Sequence, residues 1–149
     1  MLKIVIKGPI KGVSVSREEI IRTVEFLEEI SQYYKLKIPH TVTVKLASVK
    51  RINRLAKETV REYREGSNYL GLYPQIGNED GYPTSSMFMI CYNVRGLTPK
   101  WKLLKTICHE FFHMIGAINK DPDFGDECLA NRWENKVYTL IEKRGIIND

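Results

Sequence analysis

The chain has 149 residues, with 23 Lys and Arg against 18 Asp and Glu, for a net charge of +5. That length reads as one domain over residues 1–149, long enough to bury about two-thirds of its unfolded surface. With 43% hydrophobic and 28% charged residues, the composition excludes an intrinsically disordered chain. The longest uncharged stretches, Gly66–Asn78 and Gly81–Val94, are shorter than a membrane span and are broken by Gly, Pro and polar residues. The apolar run within Leu2–Lys7 is too short for a signal peptide. The expectation is a cytoplasmic protein with no membrane partner. Cys91, Cys108 and Cys128 form no Cys-x-x-Cys pair, which excludes a disulfide scaffold or a zinc ribbon and reads as ordinary small hydrophobes.

In chain order, Leu2–Lys7 alternates apolar and polar residues and predicts a strand, stopped by Gly8-Pro9. Ser16-Arg-Glu-Glu19 is a capping box that opens a helix to about Tyr34, with Ile20, Val24, Leu27 and Ile30 on one face. Thr41–Ala47 alternates again and predicts a second strand. A second helix is expected from about Val49 to Glu65, stopped by Gly66. Two extended pieces follow, Tyr69–Tyr73 and Met87–Asn93, separated by a Gly/Pro/Asn/Asp loop. Thr98-Pro99 predicts the N-cap and first position of a third helix, running to about Gly116. Gly125-Asp126 opens a fourth helix that ends at Gly145. The order is β-α-β-α-β-β-α-α, an α+β pattern.

The chemistry concentrates on the third helix, in His109-Glu110-Phe111-Phe112-His113. Two His four residues apart lie about 40° apart on one helical face, one turn from each other, so both rings reach a single Zn²⁺. Glu110 projects about 100° away, beside a metal rather than on it, where a carboxylate can take a proton from water. If the His pair were core, it would share the apolar arc. Stepping about 100° per residue puts Leu103, Leu104, Ile107, Phe111, Met114 and Ile115 together and both His opposite them.

A hydrolytic zinc site takes three protein ligands and keeps a position open. The remaining histidine, His40, lies far upstream and reads as a loop residue, so a carboxylate is expected as the third ligand. Glu127, just inside the fourth helix, is the best placed. Asp121, Asp123 and Asp126 are weaker candidates. Asn131, one turn after Glu127, is placed to hydrogen-bond a ligating His. From His109 to Glu134 six acids face two bases, a local −4 within a chain of +5, as a cation site requires.

His109–His113 followed by Asp126-Glu-Cys-Leu-Ala-Asn131 resembles the gluzincin metallopeptidases, in which H-E-x-x-H is followed by a glutamate helix. In size the chain is similar to the small archaeal minigluzincins, and its E-x-x-A-N portion to the ImmA/IrrE-like zincins, which act on repressor proteins. The resemblance implies His109, His113 and Glu127 as zinc ligands, Glu110 as general base, and Asn131 behind a ligand. It implies a zincin-like fold: a small mixed sheet with an antiparallel edge strand, packed against the two site helices. Tyr69, Leu70, Gly71, Leu72 and Tyr73 would be that edge, pairing with the backbone of a peptide or protein substrate. The length leaves no second subdomain for a far wall, which implies a shallow cleft. His109–Gly116 also fits the metzincin H-E-x-x-H-x-x-G, but that family's third-ligand position holds Asn119, so Gly116 reads as a helix stop.

The leading expectation is a zinc-dependent endopeptidase. The alternative is a non-catalytic zincin-fold metal-binding module that interacts with protein or nucleic acid. Lys50, Arg54, Lys57, Arg61 and Arg64 share one face of the second helix and would suit phosphates, but with Glu58, Glu62 and Glu65 alongside an ordinary solvated face is the preferred reading. Nucleic acid is therefore the less favoured partner. Tyr69, Tyr73 and Tyr92 are candidates to stabilise an oxyanion.

Overall fold

A computed structural model describes residues 2–9, 13–59, 69–75, 78–91 and 98–147. Ten elements follow in order: β1 (Lys3–Lys7), α1 (Arg17–Tyr33), β2 (Thr41–Ala47), α2 (Val49–Thr59), β3 (Gly71–Leu72), β4 (Asn78–Glu79), β5 (Tyr82–Pro83), β6 (Met87–Cys91), α3 (Lys100–Ile118) and α4 (Glu127–Lys143). The architecture is mixed α+β. One four-stranded sheet runs β1-β2-β6-β3, and β4 pairs with β5 in a separate hairpin. β1, β2 and β6 are parallel, while β3 pairs antiparallel to β6 and ends the sheet.

The strand period of two sorts the core into two layers. On β6, Phe88 and Ile90 face the layer containing Val24, Leu27, Leu104, Ile107, Phe111, Val137 and Ile141, contributed by α1, α3 and α4. Met89 and Cys91 face the other way, onto Ala47, Leu72 and the Ile52–Ala56 ridge of α2. Helices on both faces explain why β6, Met-Phe-Met-Ile-Cys, carries no alternating polar residue. Each large side chain sequestered this way contributes about 1.5–3 kcal/mol of transfer free energy.

Local signals set most of the ends. The capping box of α1 is formed: Ser16 Oγ accepts from the Glu19 N–H at 3.1 Å, and Glu19 Oε1 accepts from the Ser16 N–H at 2.9 Å. Glu19 also pairs with Lys100 at the start of α3, at 2.7 Å. Asp126 caps α4 by accepting from the Leu129 N–H at 3.1 Å. Three expectations need correction. Pro99, in extended conformation, is the N-cap of α3, and having no side-chain acceptor it leaves the helix without a side-chain cap; the Thr98 carbonyl accepts from the Ser14 hydroxyl. α3 does not stop at Gly116 but runs to Ile118. The loop before β6 contains the β4–β5 hairpin, turned by Asp80 and Gly81 at φ 52° and 81°, the left-handed pair that a two-residue hairpin favours.

Gly116 has a packing role. A Cβ there would lie 2.8 Å from Phe124 Cβ, so the bare helix surface admits the α3–α4 loop at close range. Tyr82 of the hairpin stacks on Phe124 with ring centroids 5.8 Å apart, and Lys120 pairs with Asp80 at 2.9 Å. The hairpin thus buttresses the loop that leads into α4. The C-terminal ends of two expected elements, the second helix beyond Thr59 and the extended piece beyond Cys91, lie outside the described residues.

Candidate metal centre

The apolar arc of α3 is buried as its periodicity predicts: Leu103, Leu104, Ile107, Phe111, Met114 and Ile115 are all 5% exposed or less. The opposite face is covered too. α4 packs along it, and β3 crosses beside it, leaving Glu110 and His113 buried at 6% and 7% exposure. A surface His-Glu-His face has become the floor of a cleft of about 630 Å³. The cleft is bordered by residues 69–73 of the sheet edge, by α3 from Trp101 to His113, and by Glu127, Asn131 and Glu134 of α4.

Five polar contacts assemble the centre. His113 Nε2 lies 3.1 Å from His109 Nε2. One oxygen of Glu127 is 2.8 Å from His109 Nε2 and the other is 3.1 Å from His113 Nε2. Behind the rings, Nδ1 of His113 donates to the Phe124 carbonyl at 2.6 Å, and Nδ1 of His109 donates to Glu134 Oε1 at 3.0 Å. Among the described residues, His109, His113 and Glu127 are the group whose ligand atoms converge, all within 4.8 Å of one another.

The outer contacts decide the tautomers. A carbonyl and a carboxylate can only accept, so both Nδ1 atoms carry the proton. In neutral rings both Nε2 atoms then present lone pairs, facing each other and a carboxylate. Three acceptors at about 3 Å with no hydrogen between them repel unless a cation or added protons lie among them. The separations are close to the edge of about 3.3 Å expected between ligands of a tetrahedral zinc. The donor set fits Zn²⁺: two imidazoles, one carboxylate, and partners behind both imidazoles.

Without a metal, protons take that place. Burial pulls the His109 pKa down, but hydrogen bonds to Glu127 and Glu134 outweigh it and hold the ring up to about 10. Burial likewise opposes the charge of His113, yet Glu127 and Glu110 raise its pKa. Glu127 is pushed up by burial and brought well below the usual carboxylate range by the two rings. Glu110 is raised, first by burial and against the attraction of His113 and His109. Its carboxyl lies under Gly71, where an added Cβ would meet Thr106 Cγ2 at 2.4 Å and Glu110 Cγ at 3.0 Å. The strand edge approaches α3 this closely only because residue 71 has no side chain. Gly71→Val should therefore push the edge off the helix and lower the melting temperature by about 5 °C in calorimetry.

The sequence candidates separate cleanly. His109, His113 and Glu127 converge, with Glu110 beside them. His40 sits in the turn before β2, exposed, its carbonyl accepting from Lys3. Asp121 and Asp126 spend a carboxylate oxygen on the Asp123 and Leu129 N–H groups, and Asp123 is exposed. Asn119 caps α3 and exchanges hydrogen bonds with Lys37, away from the centre. Tyr73 borders the cleft but is buried, and its hydroxyl is spent on the Ser85 carbonyl at 2.7 Å. Tyr92 lies outside the described residues. Cys108 is fully buried in the core.

Asn131 requires a correction. It lines the cleft, but among the described residues no hydrogen bond joins it to either ring; Glu134, two turns beyond Glu127, holds His109 instead. Helical spacing puts Glu127, Asn131 and Glu134 on one stripe of α4, but which member reaches the ring depends on the α3–α4 crossing. Glu134→Gln should weaken zinc binding about 10–100-fold in competition with a chelator, whereas Asn131→Ala should leave it unchanged.

The chain matches no family model, no curated protein and no solved structure. Among the described residues no helix is long and apolar enough to cross a membrane.

Proposed function

We propose that this chain is a zinc-dependent peptidase of gluzincin type with a zincin-like fold. One observation carries the reading: two imidazoles and a carboxylate from the next helix present convergent lone pairs in a cleft beside a buried carboxyl group. His109, His113 and Glu127 would hold the ion. A zinc there supplies Lewis acidity toward a carbonyl and acidifies water near neutral pH. Among the described residues no fourth side chain closes the group, which favours a catalytic over a structural centre.

The remaining roles belong to the chain's own groups. Glu110, its pKa raised by burial and its carboxylate beside the ligand rings, takes a proton and returns it to the leaving amine. Cys91 N–H donates to the Leu70 carbonyl at 2.8 Å, so the ladder's alternation turns the Gly71 N–H and C=O toward the outer edge. That edge would hold a peptide extended across the cleft. Phe124 and Glu134 keep the rings in the ligating tautomer. The non-catalytic alternative finds one support, the exposed Lys50, Arg51 and Arg54 on α2; Arg61 and Arg64 lie outside the described residues.

The test is direct. Protein dialysed against zinc should retain one equivalent by elemental analysis and cleave a mixture of random decapeptides. A chelator should abolish cleavage and zinc should restore it. Stoichiometric zinc without cleavage would favour the binding module, and no zinc at all would end both readings.

A further inference from the structure

The cleft does not end at the metal centre. It runs along α3 toward that helix's N-terminus and opens into a second groove of about 610 Å³, sharing Trp101, Lys105 and Asn135 with the first. At the junction sits Lys105. Its ammonium lies 5.3 Å from the Trp101 ring centroid and 5.6 Å from that of Tyr138, and donates to Asn135 Oδ1 at 2.9 Å. Every one of these partners is neutral. Among the described residues no carboxylate forms an ion pair with Lys105; Glu142, a turn beyond Tyr138 on the same groove wall, is exposed and does not reach it. Lys100, at the groove's outer end, is already paired with Glu19.

A partly buried cation clamped by two rings and an amide, with no ion-pair partner among the described residues, sits in an environment that rewards an incoming anion. The placement is informative as well. Lys105 precedes His109 by one helical turn, about 6 Å along the axis, which is about two residues of an extended chain. Around the centre itself stand Glu110, Glu127 and Glu134, and Lys102 lines the cleft on the Lys105 side. The cleft is therefore polarised, with acids at the metal end and lysines at the other.

We infer that Lys105 is a specificity-determining residue that receives an Asp or Glu side chain two residues from the scissile bond, on the side toward the N-terminus of α3. This inference rests on the peptidase reading. The Trp101 and Tyr138 rings form the walls against which the methylene groups of that side chain pack, and the Lys105 ammonium pairs with its carboxylate. Asn135 holds the ammonium at the junction, so little rotamer freedom remains to be lost on binding.

Zinc-loaded protein is incubated with a random decapeptide mixture, and the cut sites are sequenced by mass spectrometry. Asp and Glu should be enriched at one position two residues from the cut. Matched synthetic peptides with Glu or Gln at that position should differ about tenfold in kcat/KM. Lys105→Gln should abolish the enrichment, and Lys105→Glu should invert it toward Lys and Arg. Circular dichroism melts check that both variants fold. Cleavage without acidic enrichment, or an enrichment that Lys105→Glu leaves untouched, overturns the inference while the peptidase reading stands. Absence of cleavage by the zinc-loaded wild type removes both.

Discussion

Glu110→Gln should retain one zinc per chain and lose hydrolysis by about a hundred- to ten-thousandfold. The amide matches the carboxylate in size, so the buried site beneath Gly71 stays filled and the close approach of the strand edge is kept. The three ligand atoms are untouched, because Glu110 is not among them. What disappears is the only property the proposed chemistry demands of residue 110, the capacity to take a proton and hand it on. Elemental analysis and turnover on the same preparation separate the two functions. Retained turnover would remove Glu110 from the chemistry, and lost zinc would make it a structural support instead.

His113→Ala should abolish stoichiometric zinc binding and the stability that zinc provides. A ligand present at about a thousandfold over its dissociation constant stabilises the folded state by about 4 kcal/mol, which for a chain of this size is a rise of about 10 °C in melting temperature. Wild type should show that rise on adding zinc, and the variant should not. The effect should also depend on pH. In the metal-free protein His109 is held up to about 10 from 6.5, so its contribution is complete below pH 6.5 and is lost as pH rises toward 10. Glu127, lowered from 4.5, contributes above pH 4.5 and loses its contribution as pH falls. Metal-free stability from these groups should therefore be greatest between pH 4.5 and 6.5. Zinc needs the same lone pairs free of protons, so the zinc-induced rise should be larger at pH 8 than at pH 5.5. A pH-independent rise would show that the ion binds elsewhere.

Much of the centre could be read from local rules. The i, i+4 spacing of His109 and His113 places both rings on one side of any helix, and the separate apolar arc of α3 indicates that this side faces something other than the main core. The cap at Asp126 fixes where α4 begins and hence that Glu127 stands in its first turn, where the helix dipole favours a carboxylate. The capping box at Ser16 and the alternation of Thr41–Ala47 fixed the elements that carry the frame. Gly116 misled for a physical reason: a glycine late in an amphipathic run usually marks a helix end, but here its missing side chain makes room for Phe124.

What spacing alone determined is the pair of imidazoles and the carboxyl beside them, because helical geometry is a local property of the backbone; Glu127 was only the best placed of four carboxylates until α4 met α3. Which groups stand behind the rings was decided only when α4 folded back on α3 and the β4–β5 hairpin braced the intervening loop. Those contacts put Glu134 rather than Asn131 on His109 and brought the Phe124 carbonyl to His113. The two ring contacts join residues 11 and 25 positions apart, and at that range the register is set by packing, which no periodicity in the chain encodes.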